Sequence, residues 1–173
     1  IVNAGAIFPL VNLLSSGVPE VKEEAASVLS TLSLNSPTNQ LAIATGLVAL
    51  VGTGSADSQE QVTQVLLTLA ADADNRIAIA KAGAIPRLVM QIRGGSHSLM
   101  RAQELAASML AKISGDSDEN IAAIASASGI RPLIVLLSSS SSSAQAYAAS
   151  VLADVTKKSI RNQNTVLAEG GIP

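Results

Sequence analysis

Residues 74–92 read DNRIAIAKAGAIPRLVMQI, and the reading of that stretch decides the architecture. Asn75 opens a short run whose apolar residues are spaced for one helix face. Asp74 or Asn75 is suited to cap the exposed N–H groups of that helix, predicted over residues 76–82. Gly83 then offers the left-handed conformation that ends a helix. Pro86 comes next, in the first turn of a second helix, where its missing N–H costs little. Leu88, Val89 and Ile92 fall on one side of that second helix. A third and longer helix is predicted over residues 102–114, where Leu105, Ala106, Met109, Leu110 and Ile113 keep the i, i+3, i+4 rule.

The same phrase recurs along the chain. The apolar pair after the glycine appears as Leu10-Val11, Leu47-Val48, Leu88-Val89 and Leu133-Ile134, at spacings of 37, 41 and 45 residues. A small apolar residue opening the third helix appears at Ala25, Val62, Ala106 and Ala148, at offsets of 15, 15, 18 and 15 from the first marker. An Asn preceded by a polar residue appears at Asn39, Asn75, Asn120 and Asn162. The last three stand eight residues before Gly83, Ser128 and Gly170. A period near 40 residues is the mark of a repeat architecture, in which no repeat can bury its apolar face alone.

Composition agrees with helices packed closely and narrows the classes of function. Of 173 residues, 48% are hydrophobic but only 1% aromatic, namely Phe8 and Tyr147, so Leu, Ile, Val and Ala must build the core. Charged residues are 14% and the net charge is −2, which argues against a nucleic-acid footprint. No polybasic run marks a membrane surface, and no apolar run reaches the ~20 residues of a membrane span. Cysteine is absent, which excludes disulfides and thiolate metal sites.

The phrase N-x-x-I, then GAIP-x-LV-x-L-L, then A-A-x-x-L-x-x-L resembles the armadillo repeat. It is closest in AGAIFPLVNLL (Ala4–Leu14) with EEAASVLSTLS (Glu23–Ser33), and in AGAIPRLVMQI (Ala82–Ile92). The resemblance implies an all-α chain, a right-handed solenoid of stacked three-helix repeats. Its repeats are expected near residues 1–37, 38–73, 74–117 and 118–159, with a further partial one over 160–173. Neither end shows a polar capping repeat, so the chain is expected to be a stretch of a longer array. The second repeat lacks the four residues that stand between Gly83 and Leu88, which predicts a tighter or less regular turn between its first two helices. The third carries three extra residues in Gly94–Met100, and the fourth has six serines, Ser138–Ser143, at the same loop.

Catalytic and metal chemistry find little support. His97, the only histidine, stands in GGSHS, a poor place for the braced base of a nucleophilic triad. The acidic clusters at Asp72–Asp74 and Asp116–Glu119 precede predicted helices, where Asp caps an N-terminus and meets its positive dipole end. Neither has the ligand ladder of a calcium loop. Gly52-Thr53-Gly54 lacks the third glycine of a dinucleotide fingerprint and comes after a helix rather than a strand. The serine run reads as a solvated linker, with a phosphorylation target as the sharper alternative.

The resemblance places the functional surface on the third helices. In armadillo grooves of the importin-α type that helix reads W-x-x-x-N. Here the Trp-equivalent positions are Ser27, Gln64, Ser108 and Ser150, and the Asn-equivalent positions are Thr31, Thr68, Lys112 and Asp154. Glu23, Glu60 and Glu104 lie upstream on the same faces. Together these residues make a polar, mildly acidic surface without aromatic anchors. The expected role is a non-catalytic scaffold or adaptor for a protein or an extended peptide, inside the cell, in cytoplasm or nucleus. No cofactor, metal, nucleic acid, membrane insertion or small-molecule substrate is expected. The alternatives are the substrate-recruiting region of a U-box ubiquitin ligase and an architectural subunit of a large assembly.

Overall fold

The computed structural model describes residues 6–170, apart from 15, 17, 35, 95–98 and 116. Among the described residues there are eleven helices and no strand. They fall into two compact units, Ile1–Ala84 and Ile85–Pro173. His97, most of the Gly94–Met100 insertion and Asp116 lie outside the described residues.

The N-terminal unit holds α1 (Ile7–Leu13), α2 (Pro19–Ser33), α3 (Pro37–Leu50), α4 (Ala56–Leu69) and α5 (Ala73–Lys81). Helix α3 is its hub, touching α1, α2, α4 and α5. Leu29, Leu47 and Leu66, one from each long helix, have no exposed surface. Burial of each such side chain stabilises the fold by about 1.5–3 kcal/mol.

The C-terminal unit holds α6 (Ala84–Arg93), α7 (Met100–Ser114), α8 (Asp118–Ser126), α9 (Ile130–Leu136), α10 (Ser142–Thr156) and α11 (Ile160–Ala168). Helices α7 and α10 pack along their lengths, and Ala106, Ala107 and Ala148 are fully buried. Alanine lets two helix backbones approach closely, which suits a core without aromatics. Two amide bonds fasten α6 to α7: Gln91 Nε2 donates to the Ala102 carbonyl at 3.0 Å, and Gln103 Nε2 to the Ile92 carbonyl at 2.8 Å.

The four helices that carry the recurring Asn start with one device, and it differs from the one expected. The caps are Ser36, Asp72, Ser117 and Ser159, whose side-chain oxygens accept from the backbone N–H of Asn39, Asn75, Asn120 and Asn162. Asp72 therefore caps α5, not Asp74 or Asn75. The recurring Asn sits three residues inside the helix and is released for another task. Asn39, Asn120 and Asn162 each donate Nδ2 to a carbonyl seven residues back, on Leu32, Ile113 and Val155, at 2.7–2.9 Å. Those carbonyls lie at the ends of α2, α7 and α10, where no intrahelical partner remains. Asn75 instead reaches the Ser33 hydroxyl at the end of α2, at 3.4 Å.

The joints between first and second helices bear out the reading of Gly83. Gly83, Ser128 and Gly170 have φ of +82°, +57° and +80°. After α8, Ser128 N–H donates to the Ala125 carbonyl and Gly129 N–H to the Ile124 carbonyl, both at 2.9 Å. That paired closure ends the helix, and α9 leaves at 86° to α8. The Arg93 guanidinium adds bonds to the carbonyls of Ala127 and Ser128 at 3.0 and 2.9 Å.

The second repeat departs from expectation. No turn separates its first two helices: α3 runs unbroken through Gly46 and Leu47. Without the four joint residues there is no left-handed position to stop the hydrogen-bond ladder, so it continues.

Candidate functional site

Residues four apart on a helix lie one above another on the same face. On α2 that column is Glu23, Ser27 and Thr31, all exposed. It stands two residues out of phase with buried Ala25 and Leu29, so it lies on the opposite side of the helix. On α4 the column is half-buried Glu60 with exposed Gln64 and Thr68, out of phase with buried Val62 and Leu66. Helices α2 and α4 touch, so the N-terminal unit sets two polar columns on neighbouring helices. Thr31 and Thr68 donate their hydroxyl protons back to the carbonyls of Ser27 and Gln64, at 3.0 and 3.1 Å. What these hydroxyls present outward is an acceptor.

The C-terminal unit treats the corresponding positions differently. Lys112 and Ser150 are exposed. Ser108 keeps only 9% exposure, because α7 is buried continuously from Leu105 to Leu110. Glu104 and Asp154 are half-buried and tie α7 to α10. Glu104 accepts from the Ser141 hydroxyl at 2.7 Å while pairing with Arg101. Asp154 accepts from the buried Ser114 hydroxyl at 2.6 Å. The ties join start to start and end to end, so α7 and α10 run parallel. These two carboxylates hold the helix pair in register as well as contributing negative charge to its surface.

Among the described residues no group of three or more His, Cys, Asp or Glu is placed to hold a metal ion. Nor is any single helix there long and apolar enough to cross a membrane. The C-terminal unit also contains a cavity of about 660 Å³, lined among others by Ile92, Arg93, Met100, Arg131, Val135 and Ser140. None of the eleven third-helix residues lines it. Its walls come from α6, α7, α9, the segment before α10, Ser128 and Glu169, which stand far apart in sequence, and no local pattern announces such a meeting. The serine run is not wholly a linker: Ser141 caps α10, and Ser142 and Ser143 form its first turn.

The model of the armadillo/β-catenin-like repeat family matches residues 1–34 and 117–156. No curated protein matches the sequence. Among solved structures, an engineered protein superposes with a TM-score of 0.72 at 28% identity, covering 96% of this chain and 68% of its own. A computationally designed armadillo repeat protein for modular peptide recognition gives 0.71 at 21% identity, covering 99% and 74%. Another designed armadillo repeat protein, in complex with the peptide (KR)4, gives 0.70 at 21%, covering 98% and 72%. The last two are alike in fold alone. With the recurring phrase, the three-helix order and the left-handed joints already in place, these likenesses lead to one assignment: residues 1–34 and 117–156 are armadillo repeats, and the chain has the all-α fold of armadillo repeat proteins.

Proposed function

We propose that this chain is a non-catalytic scaffold that holds an extended peptide segment, rich in Lys or Arg, against its third-helix faces. The observation that carries the reading is the pair of polar columns on α2 and α4, exposed at Ser27, Thr31, Gln64 and Thr68 and headed by exposed Glu23 and half-buried Glu60, on two helices in contact. Gln64 supplies both amide donors and an acceptor for an extended backbone, and Glu23 and Glu60 supply negative charge for basic side chains. The designed relative in complex with (KR)4 supports the peptide class. The absence of Trp, with only one Phe and one Tyr in the chain, sets the strength. Aromatic anchors dominate tight interfaces, so binding here is expected in the micromolar range or weaker, about −8 kcal/mol or less in magnitude. Electrostatic binding of this kind falls with salt.

Titrating a fluorescent alternating Lys-Arg octapeptide into the protein tests this. Binding should weaken about tenfold in Glu23→Lys/Glu60→Lys and fall on raising salt from roughly 50 to 300 mM, in the manner of exposed charge pairs. Equal affinity of wild type and the double variant, with the fold intact by circular dichroism, sinks the α2–α4 face as the site.

A further inference from the structure

We propose that the segment before α10 is a phosphoacceptor site, with Ser138 and Ser140 the acceptors and Arg93 and Arg131 the groups that receive the phosphate. Ser138, Ser139 and Ser140 line the same cavity as both arginines. The structure separates the six serines by task. Ser141 Oγ accepts from the Ala144 N–H and donates to Glu104, and Ser139 Oγ accepts from the Ser141 N–H. Ser142 and Ser143 lie within α10. Ser138 and Ser140 are exposed, stand in the irregular stretch between α9 and α10, and cap nothing.

The cavity suits an anion tethered at that place. Arg93 is positioned by its Nη2 bonds to the carbonyls that end α8, which do not involve Nη1 or Nε. Arg131 has a side chain 77% exposed, and its Nε stands 3.5 Å from Glu169, a loose pair. The carboxylates to be weighed are Glu169, which also lines the cavity, and Glu104, which is engaged with Ser141 and Arg101. Two guanidiniums against one lining carboxylate leave an excess of positive charge beside neutral hydroxyls. A phosphoserine carries about −1.5 to −2 at neutral pH and forms charge-assisted bonds with guanidinium. Ile92, Met100, Val135 and Leu136 supply an apolar wall, and contact with it strengthens such bonds. The modification needs a separate protein kinase and a nucleoside triphosphate. The serine oxygen bonds to the terminal phosphorus, the phosphoanhydride bond breaks, the nucleoside diphosphate leaves, and the hydroxyl proton passes to the kinase base. Once in place, the phosphate draws Arg131 from Glu169 and ties α6 and α9 to the start of α10.

Two measurements test this. In the first, phosphoserine is incorporated at position 140 by expanded genetic code and titrated by ³¹P NMR. Its second ionisation, about pH 6 in an open chain, should fall by roughly half a unit or more, since cations favour the dianion. The shift should vanish in Arg131→Gln and shrink in Arg93→Lys; Arg131→Gln leaves the α8 terminus untouched should Arg93→Lys fold poorly. In the second, wild-type protein is incubated with magnesium ATP and a panel of purified serine kinases, and sites are mapped by mass spectrometry. Label should appear at Ser138 or Ser140 and disappear in Ser138→Ala/Ser140→Ala. A titration identical in the folded protein and in a peptide of residues 137–145, or no label at Ser138 or Ser140, overturns the proposal.

Discussion

Residues 37–50 and residues 118–136 hold the same place in the repeat, yet the first form one continuous helix and the second two helices at 86°. Both begin alike. A serine caps the start, and an Asn three residues on donates to a carbonyl seven residues back. Both also carry, one turn before the end, a fully buried leucine, Leu47 and Leu133. The difference lies between these anchors. The C-terminal stretch has Ser128 in the left-handed region and Pro132 in the first turn of α9; the N-terminal stretch has no counterpart to either. Their two glycines separate accordingly. A Cβ on Gly129 would come within 2.9 Å of Ile124 and 3.1 Å of Val89, so close approach is what the position requires. A Cβ on Gly46 would meet nothing nearer than Val11 at 3.4 Å, an ordinary contact. The lesson is that the buried leucine is held constant while the backbone path to it is free to change.

That contrast can be broken most sharply at the leucines. Leu47→Ala and Leu133→Ala should each cost about 2–5 kcal/mol in denaturant unfolding. If Leu47→Ala costs far less than its counterpart, the continuous helix seats its leucine poorly and the equivalence fails. The glycines come next and should differ in sign. Gly129→Ala should destabilise by about 1–3 kcal/mol through overpacking at the joint. Gly46→Ala should stabilise by up to about 1 kcal/mol, since Ala is the better helix former and the added methyl makes only ordinary contacts with Val11 and Ile7. A loss of stability in Gly46→Ala would mean that α1 presses on α3 more tightly than the distances indicate. The two stretches should differ least at the Asn bonds, which precede the point of divergence. Asn39→Ala and Asn120→Ala should cost about 1–2 kcal/mol each, and about equally, by thermal or chemical melting.

Much of this is legible from residues alone because the governing interactions are short-range. After Asn75, Asn120 and Asn162 the left-handed joint stands eight residues on, and it holds even where Ser128 replaces glycine. The cap of α5 is not legible, because Asp72, Asp74 and Asn75 are all good capping types. Only the geometry shows that Asn75 is engaged with Ser33, 42 residues away. The fusion of α3 is hidden for a related reason. Deleting a joint says that the turn has changed, and only the burial of Leu47 shows that a helix can span the gap. At the candidate surface, the column on α2 is as open as helical spacing expects. Ser108 is not, because α7 is enclosed from Leu105 to Leu110. The arginine-lined cavity has no trace in the sequence, since its walls meet from separate segments.

By itself the sequence determined which stretches become helices, in what order, and where the chain turns in the repeats that keep the left-handed joint. Caps, left-handed residues and apolar spacing act within about eight positions. The tertiary structure alone decided which polar side chains stay open to a partner and which become internal ties, as Glu104 and Asp154 did. Exposure is a property of what packs alongside, and the partners that Glu104 and Asp154 engage, Ser141 and Ser114, stand 37 and 40 residues from them along the chain.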